Sequence, residues 1–333
     1  MKDYLFGKTR EELVHIVKEN KLPAFYGRQI ADWLYKKSIT SIDDITNLSI
    51  RAREVLTSCF NLGIYQPSDV QISSDGTKKY LYTLQSGHAV EAVYIPDNDR
   101  ATLCISSQAG CKMGCKFCMT AKQGFKTNLN SGEILNQIWS LPEKNSLTNI
   151  VYMGMGEPMD NIDEVLKSIE IITSEYGWSH KRVTVSTIGI PEGLKKFLNN
   201  SKCRLAISIH SPFNEERSML MPMQKAYPIS ETLKLLKQDN SQRRVSFEYI
   251  MFAGVNDSQK HADALVKLLK GNEYRVNLIR FHKIPDCNLA PSNEKTMDDF
   301  KNYLNSKNLL TTIRSSRGED IYAACGMLAG AKK

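Results

Sequence analysis

The run CISSQAGCKMGCKFC, residues 104–118, decides the fold. Its last three thiols, Cys111, Cys115 and Cys118, stand as C-x3-C-x2-C directly behind a short apolar segment, TLCIS (102–106). Three thiolates at this spacing hold three corners of a four-iron cluster and leave the fourth iron without a protein ligand, open for chemistry. A structural zinc site competes for the same residues. It needs a fourth Cys or His in closed tetrahedral geometry, and the paired C-x2-C or H-x3-H spacing of such sites is absent here. Within the segment, Thr102, Cys104 and Ser106 share one strand face while Leu103 and Ile105 share the other. The outer face needs apolar residues against helices, so Cys104 is expected to point inward.

Downstream of the thiols the chain alternates. Strand-like runs fall at NIVYM (149–153), VTVST (183–187), RLAIS (204–208), VSFEYIM (245–251) and RVNLIRF (275–281). Helical periodicity lies between them, at 131–141, 161–175, 229–239 and 257–270. With TLCIS these make six β-α units, which predicts an α/β fold: a partial (β/α)6 TIM-like barrel, too few strands for closure. A further strand near Leu310–Arg314 and a final helix from Glu319 are expected to complete it. Upstream, residues 70–96 switch to a period of two and form a β meander, with turns at Asp75-Gly76 and Ser86-Gly87. Pro96-Asp97-Asn98-Asp99 marks a boundary. Residues 1–62 read as helical in EELVHIVKEN, RQIADWLYKK and a third stretch from Ile42 to Phe60. The expected organisation is a helical accessory domain (1–65), a β-meander extension (66–99) and the barrel core with its C-terminal segment (100–333).

Bulk properties narrow the setting. Hydrophobic content of 41% and charged content of 24% over 333 residues are ordinary for a globular protein. MKDYLFGKTREEL has no apolar core of signal-peptide length and no later run approaches a membrane span, so a cytoplasmic location is expected. In a reducing compartment the eight cysteines read as metal ligands, catalytic thiols or buried small residues, not as a disulfide framework. A net charge of +8 favours an anionic partner. The surplus is not an N-terminal arm, since residues 1–60 carry ten Lys/Arg against eight Asp/Glu. Lys112, Lys116, Lys122 and Lys126 crowd the cysteine loop instead, a cationic rim suited to a phosphate-rich substrate.

Other candidates lie where a barrel builds its active site, at the carboxyl ends of strands. Gly154-Met155-Gly156-Glu157-Pro158 follows the second barrel strand, with glycines that admit close backbone approach and a carboxylate able to accept from an ammonium. Ser186, then Ser208-Ile209-His210, then His282 end later strands. Singly each fits a capped turn; together they form a ring at one end of the sheet. Cys325, in Ala323-Ala324-Cys325-Gly326, has the composition of a small buried residue. Glu91, among Val90, Ala92 and Val93, reads as a surface or ion-paired carboxylate.

The thiol spacing, its place behind the first strand and Phe117 beside the last thiol resemble the radical S-adenosylmethionine (SAM) enzymes over residues 100–290. That resemblance implies a [4Fe-4S] cluster on Cys111, Cys115 and Cys118, with SAM on the open iron and contacts at Gly156, Glu157, Ser186, Ser208, Ile209, His210 and His282. Such enzymes cleave SAM to a 5′-deoxyadenosyl radical, with an electron donor of flavodoxin or ferredoxin type. The wider set CISSQAGCKMGCKFC, GMGEP, STIGI, SIHSP, GVND, VNLIR, RGED and AACG resembles the radical-SAM adenosine C2-methyltransferases of ribosomal RNA, the RlmN group. The related Cfr group, which modifies C8, is the nearest alternative. One departure is that family members commonly have Asn-Pro after the sixth strand, where this chain has Phe281-His282-Lys283.

The RlmN resemblance implies that Cys325 carries the methyl group, that Cys104 is the resolving thiol forming a transient disulfide with it, and that Glu91 is the proton acceptor. It implies two SAM per turnover, an adenosine in the peptidyl-transferase region of 23S rRNA as substrate, a tRNA adenosine beside the anticodon as a second, and a monomeric protein. Another radical SAM enzyme, such as a glycyl-radical activase, would need the cluster but neither Cys104 nor Cys325. A zinc-dependent RNA-binding protein would need no SAM pocket.

Overall fold

The computed structural model describes residues 2–37, 39–271 and 273–329. Every apolar run of the barrel region becomes a strand: β6 (Arg100–Cys104), β9 (Asn149–Tyr152), β10 (Val183–Thr187), β11 (Arg204–Ser208), β12 (Val245–Met251), β13 (Arg275–Arg280) and β14 (Thr311–Arg314). All seven are parallel and lie in the order β14-β13-β12-β11-β10-β9-β6. Upstream of them β3 (Asp69–Ile72), β4 (Lys78–Thr83) and β5 (Ala89–Asp97) form the meander. The meander is antiparallel and continues the same sheet through β5 and β6, giving ten strands in one layer. The turn at 98–99 is thus a hairpin inside the sheet.

Helices α5 (Ser131–Trp139), α6 (Ile162–Ser174), α7 (Pro191–Asn200), α9 (Ile229–Gln238), α10 (Gln259–Leu269) and α11 (Glu294–Ser306) cross over between the parallel strands, joined by the short α4 (Met119–Lys122) and α8 (Asn214–Leu220). A two-stranded clip, β7 (Gln108–Ala109) and β8 (Thr127–Asn128), closes the base of the cysteine loop. The concave face is open, because β14 and β6 do not pair. Side chains from both nonetheless line one cavity, which shows how far the sheet curls. The fold is the expected partial barrel.

Before the meander stand β1 (Asp3–Tyr4), α1 (Arg10–Glu19), α2 (Ala24–Lys36), α3 (Ile50–Cys59) and β2 (Phe60–Asn61). The stretch from Ile42 to Phe60 is not one helix. Ser41 caps a single 3-10 turn over Ile42–Asp44, and Ser49 accepts from Ala52 N–H to start α3 afresh, so two caps divide it. These helices share the core with the barrel. Tyr35 of α2 packs on Phe6 and Tyr176, and Trp139 of α5 packs on the same two rings. Arg10 bridges Glu175 and Asp32.

The final helix expected from Glu319 is absent from the described residues. Residues 315–329 run as isolated turns, with Gly318, Tyr322 and Gly326 at positive φ. Three left-handed residues in nine break a right-handed helix repeatedly.

Candidate active site

Burial sets the geometry of the cysteine loop. Cys111, Cys115 and Cys118 line one cavity on the concave face, at the carboxyl ends of the strands. Among the described residues no three donors stand close enough to share a single metal ion. A multi-iron cluster takes one thiolate per corner from such a loop, whereas a single tetrahedral ion needs a fourth donor. Burial pushes Cys111 up to about 12 and Cys115 and Cys118 upward as well, so thiolates here need a cationic group in the cavity.

Two glycines bring the next loop against this one. A Cβ on Gly154 would meet Ser106 Oγ at 2.6 Å, and one on Gly156 (φ +99°) would meet Gln108 Cβ at 2.5 Å. That proximity lets Gln108 accept from Glu157 N–H at 2.8 Å while donating to Asp160. The Glu157 carboxylate is fully enclosed. It accepts from Ile188 N–H (3.0 Å), Met159 N–H (3.1 Å) and the Thr187 hydroxyl. Burial outweighs these bonds and lifts it to about 7.

Ser186, Ser208 and His210 line the same cavity. His210 sits at φ +53° and its Nδ1 accepts from Ile250 N–H at 3.0 Å, so the neutral ring carries its proton on Nε2. Burial, then Arg217, pushes His210 down to about 3. Ile209 is buried but does not line the cavity; its carbonyl accepts from Arg217 Nε. His282 does not line the main cavity but sits next to it, in a pocket that Cys325 and Arg314 also line. It lines a side pocket on the open flank of the barrel, bonded to Ser316 Oγ (3.0 Å) and Glu319 (3.2 Å). The departure from Asn-Pro thus goes with a histidine held outside the main cavity.

The C-terminal turns deliver Cys325. Met119 N–H donates to Gly326 O (2.7 Å) and Thr120 Oγ1 donates to Leu328 O (2.8 Å), stitching the segment onto the cysteine loop. From the other side, Asp320 accepts from Ser73 Oγ (2.6 Å) and Ser74 N–H (3.1 Å), and Asp75 accepts from Gly318 N–H (2.9 Å). The β3–β4 hairpin is therefore the clamp for Cys325. Cys325 is exposed, Cys104 is buried on the inner face as expected, both are free thiols, and both line the cavity. Burial and then Cys325 push Cys104 up to about 12, while Arg314 acts in the opposite direction.

Glu91 stands beyond the cavity lining. It shares the inner face of β5 with Val93, which does line the cavity, and pairs with buried Lys79 at 3.1 Å. Its other oxygen accepts from Ala329 N–H at 2.7 Å, four residues past Cys325. The lysine rim is half engaged: Lys112 pairs with Asp160 (2.9 Å) and Lys122 bonds the Asp286 carbonyl (2.8 Å), while Lys116 and Lys126 are exposed.

Four side chains escaped the sequence reading. Arg314 reaches Glu248 (3.4 Å) beside both Cys104 and Cys325, and strand alternation with Thr312 was a usable signal for it. Glu248, inside an all-buried apolar strand, was the second such signal. Lys79 resembles any meander lysine. Arg217, in NEERSML, reads as a surface charge; it is buried and donates to the carbonyls of Ile188, Ser208 and Ile209, tying together the loops after β10 and β11.

Known proteins match at every level. Residues 105–266 match the radical SAM superfamily model, and residues 4–62 match the ribosomal RNA large subunit methyltransferase N-terminal domain. A probable dual-specificity RNA methyltransferase RlmN from Parabacteroides distasonis is 57% identical over 99% of this chain and 98% of its own length. The dual-specificity RNA methyltransferase RlmN from Syntrophus aciditrophicus is 41% identical over 96% and 94%. A crystal structure of a radical SAM methyltransferase from Sphaerobacter thermophilus superposes with a TM-score of 0.93 at 33% identity, covering 99% of this chain and all of that one.

Proposed function

Because the chain belongs to the RlmN family of radical SAM RNA methyltransferases, we propose that it methylates C2 of an adenosine in 23S rRNA and of an adenosine beside the tRNA anticodon. The observation that carries this reading is one cavity lined by the three cluster thiols, Glu157, Cys104 and Cys325. A radical SAM enzyme of another kind has no use for the last two.

The family's [4Fe-4S] cluster and SAM, when bound, supply an electrophilic methyl group and a 5′-deoxyadenosyl radical. The chain does the rest. Cys111, Cys115 and Cys118 hold the cluster, the Glu157 carboxylate takes the ammonium of SAM, and Gly156 keeps the backbone close. Ser186, Ser208 and His210 present polar groups to the same ligand. The Cys325 thiolate accepts a methyl group from a first SAM. With one hydrogen atom removed from that methyl at the expense of a second SAM, the carbon left on Cys325 sulfur would bond to C2. This route is needed because C2 lies between two ring nitrogens and is too electron-poor to attack SAM.

Glu91 takes the C2 proton as the adduct returns one electron to the flavodoxin- or ferredoxin-type carrier, left oxidised by the electron it gave to cleave the second SAM, and the aromatic ring is restored. The Cys104 thiolate then attacks Cys325 sulfur. The carbon–sulfur bond breaks, its electron pair goes to the methylene carbon, and protonation there completes the methyl group. A Cys104–Cys325 disulfide remains and two electrons reset it. We assign residues 1–65 to gripping RNA, 66–99 to clamping the Cys325 segment and 100–333 to the chemistry. A flavodoxin- or ferredoxin-type reductant, action as a monomer and a cytoplasmic setting belong to the same proposal.

The test is nucleoside mass spectrometry after incubation with SAM, a reductant and an rRNA fragment or tRNA. A 2-methyladenosine product supports the reading and an 8-methyladenosine product overturns it. Cys104→Ala should accumulate a covalent protein–RNA adduct on a denaturing gel. Normal turnover in that variant would sink the two-thiol mechanism.

A further inference from the structure

Opposite the reaction cavity, at the amino ends of the barrel strands, the inner face carries arginines. Strand alternation assigns them. Glu248 and Ile250 of β12 line the reaction cavity, so Arg244, at the same parity, faces inward. By the same argument Ser208 places Arg204 of β11 inward, and Ile279 places Arg275 of β13 inward. Arg100 starts β6 on the inner face with Thr102, and both line the side pocket on the open flank.

Their spacing is set by register. Arg204 and Arg244 each stand one position before the paired Leu205 and Val245, on neighbouring strands about 4.8 Å apart. Arg275 is level with Ser246 on the next strand. Arg100 comes from across the barrel, beyond β10 and β9. The four interact: burial, then the charges of Arg275, Arg204 and Arg100, push the Arg244 guanidinium below its ordinary value.

The nearest carboxylate by register, Asp97 opposite Arg100 in the same side pocket, is engaged by Arg317 at 3.3 Å. Among the described residues none of the four is in an ion pair, and the Nε of Arg204 is buried without a hydrogen-bond partner. Glu248 acts on Arg244 in the opposite direction, but its oxygens are already engaged by Ser246, Asn277 and Arg314. Like charges side by side on adjacent strands destabilise a sheet, and a buried donor left unpaired adds to the penalty. Arg100 and Arg244 are exposed while Arg204 and Arg275 are half-buried, so the four forks form an open cationic face that an anion can reach and join.

We propose that this arginine ring at the barrel floor binds a phosphate-bearing anion with more than one phosphate group. Three forks on consecutive strands and one facing them can each take a phosphate edge in bidentate fashion, which a single halide cannot exploit. The phosphates come either from the RNA backbone or from a free nucleotide, and none of Arg204, Arg244 and Arg275 lines the cavity assigned to SAM.

Inorganic pyrophosphate is the probe, titrated into the reconstituted holoenzyme at constant ionic strength with chloride as control. Calorimetry should show saturable binding to the wild type. Arg204→Gln/Arg244→Gln should weaken it on the order of tenfold or more, the scale of losing charge-assisted bonds. Without the probe this variant should melt at or above the wild-type temperature, because repulsion is relieved. Arg204→Lys/Arg244→Lys keeps the charge without the fork; it should fold like the wild type and still bind pyrophosphate more weakly. No saturable binding, or equal binding in both variants, overturns the proposal.

Salt titrations of tRNA binding separate the two sources. If RNA phosphates fill the ring, pyrophosphate competes with tRNA and the glutamine variant lowers the salt slope by about 2. If a free nucleotide does, tRNA binding is unchanged. Methyl transfer from SAM to Cys325 in the absence of RNA reads the reaction cavity by itself, so failure at the floor is distinct from failure of the assigned chemistry.

Discussion

Glu157 is the residue whose protonation the ligand must settle. Burial raises it to about 7, against an ordinary value of 4.5. The sign for the ligand-free protein follows: its contribution to stability is fully present below about pH 4.5 and is lost as pH rises through about 7. An ammonium ligand favours the carboxylate and reverses the trend for binding. SAM affinity should therefore increase between about pH 6 and about pH 8 and then level off. Equilibrium binding on anaerobic protein checks it, and a flat profile would count against the assigned role. Glu157→Gln should bind weakly with no pH dependence over that range. Gly156→Ala tests the same loop sterically. With φ at +99° and Gln108 Cβ 2.5 Å from the added carbon, the loop must move. We expect a stability loss above about 1 kcal/mol in thermal melts, with weaker SAM binding. GMGE was legible as a motif because glycine and glutamate carry their own explanation. Arg217 was not, since nothing in NEERSML distinguishes a buried arginine from a solvated one.

At the scale of elements, the parallel strands were legible because each reads as a short bounded run rich in apolar and β-branched residues, with its outward face buried under helices. VTVST, RLAIS and VSFEYIM end where their motifs end. Residues 319–329 were not, because an apolar, alanine-rich run such as YAACGMLA satisfies helical periodicity while its left-handed residues do not announce themselves. The meander gained a purpose that alternation could not show. Its β3–β4 turn holds Asp320 and Gly318 and thereby aims Cys325. Asp75→Ala/Asp320→Ala should leave the melting temperature within a few degrees of wild type, since these are partly exposed bonds worth about 1 kcal/mol each. It should also raise hydrogen exchange across 318–329 and slow methylation several-fold. Unchanged exchange there would show that the clamp lies elsewhere.

Across the whole molecule, the thiols that share one cavity are separated by most of the barrel in sequence, and only the fold explains their meeting. Strand alternation put Cys104 inside, whereas no local rule placed Cys325 beside it. The same holds for the N-terminal helices, which composition marked as a near-neutral accessory and which the structure joins to the barrel core. The junction is made of close backbone approaches. A Cβ on Gly132 of α5 would lie 2.6 Å from the Phe6 carbonyl, and one on Gly7 would lie 2.3 Å from Gly132 N. Ser131 Oγ donates to the Gly7 carbonyl at 2.8 Å, and Tyr35 donates to the Lys8 carbonyl nearby. Because the aromatic cluster of Phe6, Tyr35, Trp139 and Tyr176 spans that junction, helices and barrel should unfold together in a single calorimetric transition. Gly132→Val should split or broaden that transition by prising the helices away, lowering its first midpoint by several degrees, with the Trp139 environment changing first. Two transitions already present in the wild type would instead mean that the shared aromatic core does not couple the parts, and that residues 1–65 fold on their own.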